Sequence, residues 1–180
     1  MKHSLFLLLV AVVFNAAIPP KQHIQESKIL FTIKNAGVNV EGSFGPLSGM
    51  VNFQTEAIHL AKVDVMLASS TISTGIGARD NHLKQKEYFD SKNFPEIRMT
   101  SRFFGKGAEP NSFRGYFTLS MKGTVKDITV PFTWSEEGDI QLIQGSFELN
   151  RRDFNIGSSS LILSDEVKVE FQIKLAPSND

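Results

Sequence analysis

The feature that most constrains this chain is an alternation of apolar and polar residues with a period of two. It is clearest between residues 167 and 175, where Val, Phe, Ile and Leu hold the odd positions and Lys, Glu and Gln the even ones. Successive side chains of a β-strand point to opposite faces, so this pattern indicates a strand with one buried face and one solvated face. Similar alternation runs through residues 28–34, 38–44, 61–67, 97–103, 113–122, 128–134 and 143–149. The chain is therefore predicted to be all-β and antiparallel.

Turns rich in glycine separate the alternating runs, for example at residues 105–107, 122–123 and 137–139. The runs number eight or nine, and each has one apolar face. A single sheet closed on itself buries all of these faces and removes the exposed edge strands. We therefore predict an eight-stranded antiparallel β-barrel, with a two-sheet sandwich as the alternative that uses the same alternation. Pro131 cannot donate to a strand ladder and is expected at an edge, a bulge or the barrel seam.

The alternation stops between residues 74 and 94, where the chain contains Gly75 and Gly77 and then a run of helix formers and charged residues at 78–87. Asp80 stands near the start of that run and lysines stand near its end, which is the charge order that suits a helix dipole. The sequence predicts a short helix in this insertion, capping or flanking the barrel. Pro95 marks the end of the insertion, because the residue before a proline disfavours the helical conformation.

The first residues have the pattern of a secretory signal. Lys2 precedes an unbroken apolar run at residues 5–14, which is too short to span a bilayer, and small residues follow. We interpret residues 1–17 as a signal peptide and residues 18–180 as a single domain that is exported to the periplasm or secreted, with an uncleaved anchor as the alternative. No later apolar run reaches transmembrane length, so we expect no stable membrane span after signal removal.

Composition excludes several classes of function. Acidic and basic residues balance at 19 each, which gives the chain no electrostatic attraction for nucleic acid. There is no cysteine, and His23, His59 and His82 do not form a metal-binding spacing. No nucleophile elbow or phosphate-binding glycine loop is present. We predict that the protein is not an enzyme and needs no metal or cofactor.

Two charged clusters have alternative interpretations. Arg79 could lie over a ligand head group, or it could bind carbonyls or a carboxylate while Asp80 caps backbone donors of the insertion. The segment at 150–154 (Asn-Arg-Arg-Asp-Phe) could bind an anion, or it could be a charged turn that ends a strand. In both cases the structural role is the favoured interpretation.

The apolar faces are the remaining candidate for function. The chain has 15 Phe against 2 Tyr and 1 Trp, which favours an apolar interior over a hydrated groove. A barrel of about eight strands can be filled by its own side chains or can hold one ligand, and alternation alone does not separate the two. The residues predicted to line a ligand cavity are Phe31, Ile33, Val40, Phe44, Val63, Val65, Ile97, Phe113, Phe117, Phe132, Trp134, Phe147, Val169 and Phe171.

An ordered set of motifs over nearly the whole mature chain resembles the YceI-like family. The motifs are residues 27–35 with 40–44, 73–83 with 88–90 and 94–97, the hairpin at 115–131, and residues 150–157 with 164–167. The resemblance implies a lipocalin-like barrel of eight antiparallel strands with a helix in the middle insertion, export to the periplasm or beyond, and no catalytic residues. It also implies binding of polyisoprenoids or other long lipids in an apolar cavity. The family often has a histidine shortly before the serine of the first strand, where this chain has Gln25 and Glu26, and another after that strand, where it has Asn35.

The resulting hypothesis is an exported barrel that binds a long apolar ligand (polyisoprenoid, quinone-like or fatty-acid-like) for transport, storage or stress protection. The alternative is a structural or protein-interaction module with a filled core, for which Tyr88, Phe89 and Phe94 are the candidate exposed patch. An enzyme acting on a lipid-like substrate is the third hypothesis, and it lacks a reactive constellation. The sequence leaves a homodimer open.

Overall fold

The computed structural model describes residues 22–177 of the 180-residue chain. The signal peptide predicted for residues 1–17 therefore lies outside the described residues. The strands are β1 (Gln22–Asn35), β2 (Val38–Phe44), β3 (Ser48–Asn52), β4 (Lys62–Ala68), β5 (Glu96–Lys106), β6 (Ser112–Met121), β7 (Thr124–Glu137), β8 (Ile140–Asn150) and β9 (Leu163–Pro177). One α-helix, α1 (Gly77–Leu83), lies in the insertion, and 3₁₀ turns span Thr55–Leu60, Ser69–Thr71 and Arg151–Phe154.

All nine strands belong to one antiparallel sheet, in the order β2-β1-β9-β8-β7-β6-β5-β4-β3. The two outermost strands, β2 and β3, follow each other in the chain with only residues 45–47 between them, so the sheet must curl until its two ends meet. At this junction the Leu47 N–H donates to Ser27 Oγ at 2.8 Å. The all-β, barrel-like fold and the helix in the insertion are thus confirmed, and the sandwich alternative is wrong.

The strand count is nine rather than the predicted eight. The difference arises at Pro46, which lacks an N–H and separates β2 from β3. Strand β2 pairs with β1, whereas β3 pairs with β4. The two short strands therefore divide between them the pairing that one continuous strand would make in an eight-stranded barrel.

A β-bulge in β5 corrects one detail of the predicted apolar faces. The alternation placed Phe103 on the inner face with Ile97 and Met99, but the pairing with β6 shifts register between Ser101 and Phe103. The bulge turns Phe103 outward, with 57% of its surface exposed, and brings Phe104 into the core. One extra residue in a strand reverses the faces of everything that follows it, and period-two patterns do not reveal where it occurs.

Pro131 lies where the pairing of β7 with β8 ends. It is paired with Arg114 of β6, but the β8 partners of β7 begin only at Phe132. Residues 124–131 therefore form an edge on the β8 side, which is where a residue without an N–H fits. Beyond this point β8 continues along β9 alone, as far as Asn150.

Phe53 fills one end of the curled sheet. It follows β3, is 1% exposed, and packs with ring centroids 5.0–5.3 Å from four aromatic side chains. These neighbours and Phe53 form the aromatic cluster, whose members are Phe53, Phe104, Phe113, Phe132 and Trp134. Most of the ring pairs are edge-to-face, the arrangement that the aromatic quadrupole favours.

Replacing Phe53 with alanine should lower the free energy of unfolding by about 3–5 kcal/mol, because a fully buried ring leaves a cavity that its neighbours cannot fill. Phe103→Ala is the matched control, since this ring is exposed and stacks on Tyr116, at a ring-centroid distance of 4.1 Å. The control should lose no more than about 1.5 kcal/mol. Chemical denaturation measures both, and equal losses would contradict the assignment of Phe53 as the closing residue.

Candidate functional site

Two adjoining cavities occupy the interior of the curled sheet. The outer cavity, beside α1, has a volume of about 300 Å³, and the inner cavity, between it and the aromatic cluster, has a volume of about 150 Å³. They share four wall residues, which we call the neck: Phe44, Met121, Leu149 and Val169. Small-molecule sites span roughly 300–1,000 Å³, so the two spaces together fall within the range of a ligand site.

The inner cavity has only apolar walls. Apolar side chains from all nine strands, together with Leu47 and Phe53 beside β3, line it, and no polar residue is among them. Each strand contributes alternate residues, as Val63, Val65 and Leu67 of β4 illustrate. Burying a polar group here without a partner would be costly, so this space suits only hydrocarbon.

The outer cavity combines apolar walls with a polar margin. Phe31, Ile33 and Val40 come from β1 and β2, while Arg79 and His82 come from α1. The remaining polar residues that line it are Asn35, Thr74, Tyr88 and Arg151. Asn35 is exposed and the His82 side chain is 61% exposed, so the cavity reaches the surface at this end, which we call the mouth.

Most of the residues predicted to line a cavity do face these spaces. Phe31, Ile33 and Val40 line the outer cavity; Val63, Val65, Ile97, Phe117, Phe132, Phe147 and Phe171 line the inner one; and Phe44 and Val169 line both. Phe113 and Trp134 belong instead to the aromatic cluster, where they pack on Phe53. Whether any of the fourteen predicted residues binds a ligand stays a prediction.

Sequence reasoning missed several wall residues. Met121 and Leu149 stand on apolar faces that the alternation had identified, and they could have been included. Leu83, Tyr88 and Phe89 could not be predicted, because they lie in the insertion. No period-two alternation there indicates which side chains point inward. The aromatic pair at 88–89 is half-buried against the cavity rather than exposed, and Phe94 is half-buried as well. The exposed patch proposed for a protein-interaction module is therefore not present at these three positions.

A hydrogen-bonded network holds α1 over the cavity. Asp80 Oδ1 accepts from the Thr74 N–H at 2.8 Å and from its hydroxyl at 2.5 Å. Arg79 Nε donates to Thr74 Oγ1 at 2.7 Å, and its Nη2 donates to the Thr74 carbonyl at 3.0 Å. Both residues therefore fasten the insertion, and Arg79 also forms part of the cavity wall.

The far end of the insertion is fastened through the carbonyl of Glu87. That oxygen accepts from the Gly157 N–H at 2.9 Å and from Lys122 Nζ at 2.9 Å. The same ammonium donates to the Asn155 carbonyl at 2.6 Å, and its partial burial lowers the pKa of Lys122. The segment is thus attached both to the β6–β7 hairpin and to the loop after β8.

The hydroxyl of Thr74 is the main reason that the pKa of Asp80 lies below its ordinary value of 3.8. The Thr74 N–H and the charges of Lys84 and Arg79 act in the same direction, while desolvation opposes them. Because the folded-state pKa is lowered, the interaction contributes stability above pH 3.8 and loses it as the pH falls through the folded pKa.

Thr74→Val should raise the pKa of Asp80 toward 3.8, since valine keeps the side-chain shape but removes the donor hydroxyl. An NMR titration of the Asp80 carboxyl carbon measures the shift. Thr118→Val is the control, because that hydroxyl donates to Asp127 on the outer surface. An unchanged Asp80 titration in Thr74→Val would contradict the network.

Arg151 is a structural residue at the end of β8. It is 3% exposed, and its guanidinium donates to the carbonyls of Ser164, Ile156 and Ser158 at 2.8–3.0 Å and to Asp165 Oδ1 at 2.7 Å. The donors that an anion would need are directed at oxygens of the protein. The 150–154 segment thus acts as the turn that the favoured interpretation described.

Arg151→Met should lower the free energy of unfolding by about 3 kcal/mol or more, because it leaves buried carbonyls without a donor. Arg152→Met is the neighbouring control, and it should change stability by less than about 0.5 kcal/mol. Thermal or denaturant unfolding measures both. Similar stability in the two variants would show that Arg151 does not hold the loop.

Residues 22–177 contain no group of three His, Asp or Glu side chains placed to hold a metal ion. Within the same residues, no helix is both long enough and apolar enough to cross a membrane.

The comparisons with known proteins agree with this geometry. The model of the YceI-like domain matches residues 22–175. A UPF0312 protein of Yersinia enterocolitica is 29% identical over 157 residues, which cover 83% of this chain and 81% of that protein.

Solved structures have the same fold. BcnA of Burkholderia cenocepacia superimposes with a TM-score of 0.78 at 25% identity, covering 83% of this chain and 96% of that one. A polyisoprenoid-binding domain from Saccharophagus degradans, implicated in plant cell wall breakdown, has a TM-score of 0.70 at 14% identity and covers 89% of this chain and all of that one. At that identity the likeness to the second protein concerns the fold alone.

Proposed function

Since this chain belongs to the YceI-like family, we propose that it binds the hydrocarbon chain of a lipid inside its curled sheet and performs no catalysis. The observation that carries the proposal is the pair of adjoining cavities, of which the inner one has only apolar walls. A solved structure of the same fold is described as a polyisoprenoid-binding domain, which supports a lipid as the class of ligand.

The shape of the site favours a long chain entering from one end. The mouth lies beside α1, the neck joins the two cavities, and the aromatic cluster closes the other end. A polyisoprenoid, the tail of a quinone-like molecule or a fatty acid would each place methyl or methylene groups against these walls. Transport, storage and stress protection would all use the same reversible sequestration of hydrocarbon from water.

The proposal includes a location outside the cytoplasm. Residues 1–17 are proposed to direct the chain out of the cytoplasm, and the remaining domain would then meet lipids in the periplasm or beyond. The filled-core alternative has less support, because the space between the neck and the aromatic cluster is not occupied by side chains.

A narrowed neck should exclude the ligand. The protein is expressed with its N-terminal segment, purified without detergent and extracted with solvent, and the extract is analysed by mass spectrometry. The parent protein should yield about one apolar molecule per chain. Val169→Trp should yield at least tenfold less, because the indole would occupy the space that the cavities share.

Lys168→Trp is the matched control, since the side chain at 168 lies on the outer face and pairs with Glu170. It should retain the lipid of the parent protein. Circular dichroism and the unfolding midpoint establish that both variants fold. Absence of stoichiometric lipid from the parent, or undiminished lipid in Val169→Trp, would count against the proposed function.

A further inference from the structure

The walls of the two cavities carry an unbalanced positive charge. Arg79 and Arg151 both line the outer cavity, whereas no Asp or Glu lines either cavity. Arg151 is balanced by Asp165 and by backbone carbonyls. Arg79 makes no direct ion pair within the described residues, although its charge contributes to the lowered pKa of Asp80, which is bridged to it through Thr74.

The guanidinium of Arg79 is held in place by two hydrogen bonds, but part of its donor capacity is left over within the described residues. Thr74 accepts from Nε and Nη2, which orients the group, while Nη1 donates to no atom of residues 22–177. In the same part of the chain, no carboxylate oxygen lies within 4.0 Å of its nitrogens. Asp80, the adjacent acid, is directed instead to the N–H and hydroxyl of Thr74.

A half-buried cation beside apolar walls attracts an anion more strongly than one in bulk water, because the surroundings screen it less. Guanidinium groups bind carboxylate and phosphate oxygens through charge-assisted hydrogen bonds, often with two parallel N–H donors. Nη1 and the remaining edge of the Arg79 guanidinium meet this requirement at the mouth.

From this placement we infer that the ligand is an anionic amphiphile whose carboxylate or phosphate head binds Arg79 at the mouth while its tail passes the neck into the inner cavity. This inference rests on the proposed lipid-binding function and adds the class of head group and the direction of entry. A neutral chain of equal length would make the same apolar contacts without the ionic one. Arg79 is therefore the residue that selects the head group.

The test uses matched ligands that share a chain and differ in the head. Palmitate is compared with cetyl alcohol, and geranylgeranyl phosphate with geranylgeraniol, each by displacement of a fluorescent long-chain probe at pH 8. The parent protein should bind the anion of each pair about tenfold or more tightly than the alcohol. The size of the preference in each pair distinguishes a carboxylate head from a phosphate head.

Arg79→Met should remove this preference while alcohol affinity stays within about threefold, which also shows that the cavity has remained intact. Arg102→Met is the control, since it removes a guanidinium that pairs with Asp127 on the outer surface and lines neither cavity, and it should retain the preference.

Equal affinity for acid and alcohol in the parent protein would overturn the inference and leave the proposed function standing. A preference that persists in Arg79→Met, or one that Arg102→Met abolishes, would also overturn it. Binding of neither member of either pair would contradict the proposed function itself.

Discussion

The burial of one apolar face from every strand is the constraint on which the rest of this structure depends. A single antiparallel sheet can satisfy it only by curling, because β2 and β3 at its two ends are joined through residues 45–47. The curl produces an interior lined by alternate side chains. Whether that interior is full or hollow then depends on where large rings collect, and here they collect at one end around Phe53.

The other end combines polar contacts with packing, since Tyr88 and Phe89 of the insertion pack against a second buried cluster formed by Leu119, Met121, Phe154 and Ile156. The insertion between β4 and β5 has few buried residues of its own, and it is positioned by Thr74, Asp80 and Glu87 through hydrogen bonds. Such a segment can line a cavity without filling it. The polarity of the interior therefore increases from one end to the other. The aromatic cluster closes one end, apolar walls follow, and the mouth carries the guanidinium of Arg79.

Much of this architecture follows from the sequence, since the period of two fixes the strands and, for most of them, the inward face. Val63 and Val65 or Val167 and Val169 could be assigned in this way because no bulge interrupts their pairing with neighbouring strands over those residues. Phe103 could not, because the bulge before it depends on how β5 fits β6. The break at Pro46 changed the strand count for a similar local reason.

The site was less accessible to sequence reasoning than the fold. Phe113, Phe117, Phe132 and Trp134 show the same alternation, yet their positions differ in three dimensions. Phe113 and Trp134 pack on Phe53 outside the cavity walls, Phe117 lines the inner cavity, and Phe132 does both. The sequence offers two alternative roles for Arg79, as a fastener of the insertion or as part of the cavity, and in the structure one guanidinium both donates to Thr74 and lines the cavity.

The central claim is that the interior is a continuous binding space for a hydrocarbon chain. A crystal structure of the protein, purified without detergent and with its native contents, tests this most directly. The account predicts unbranched or regularly branched chain density that begins beside Arg79, passes between Leu149 and Val169, and ends against the aromatic cluster. An interior in which side chains from opposing strands meet and leave no room for such a chain would contradict it.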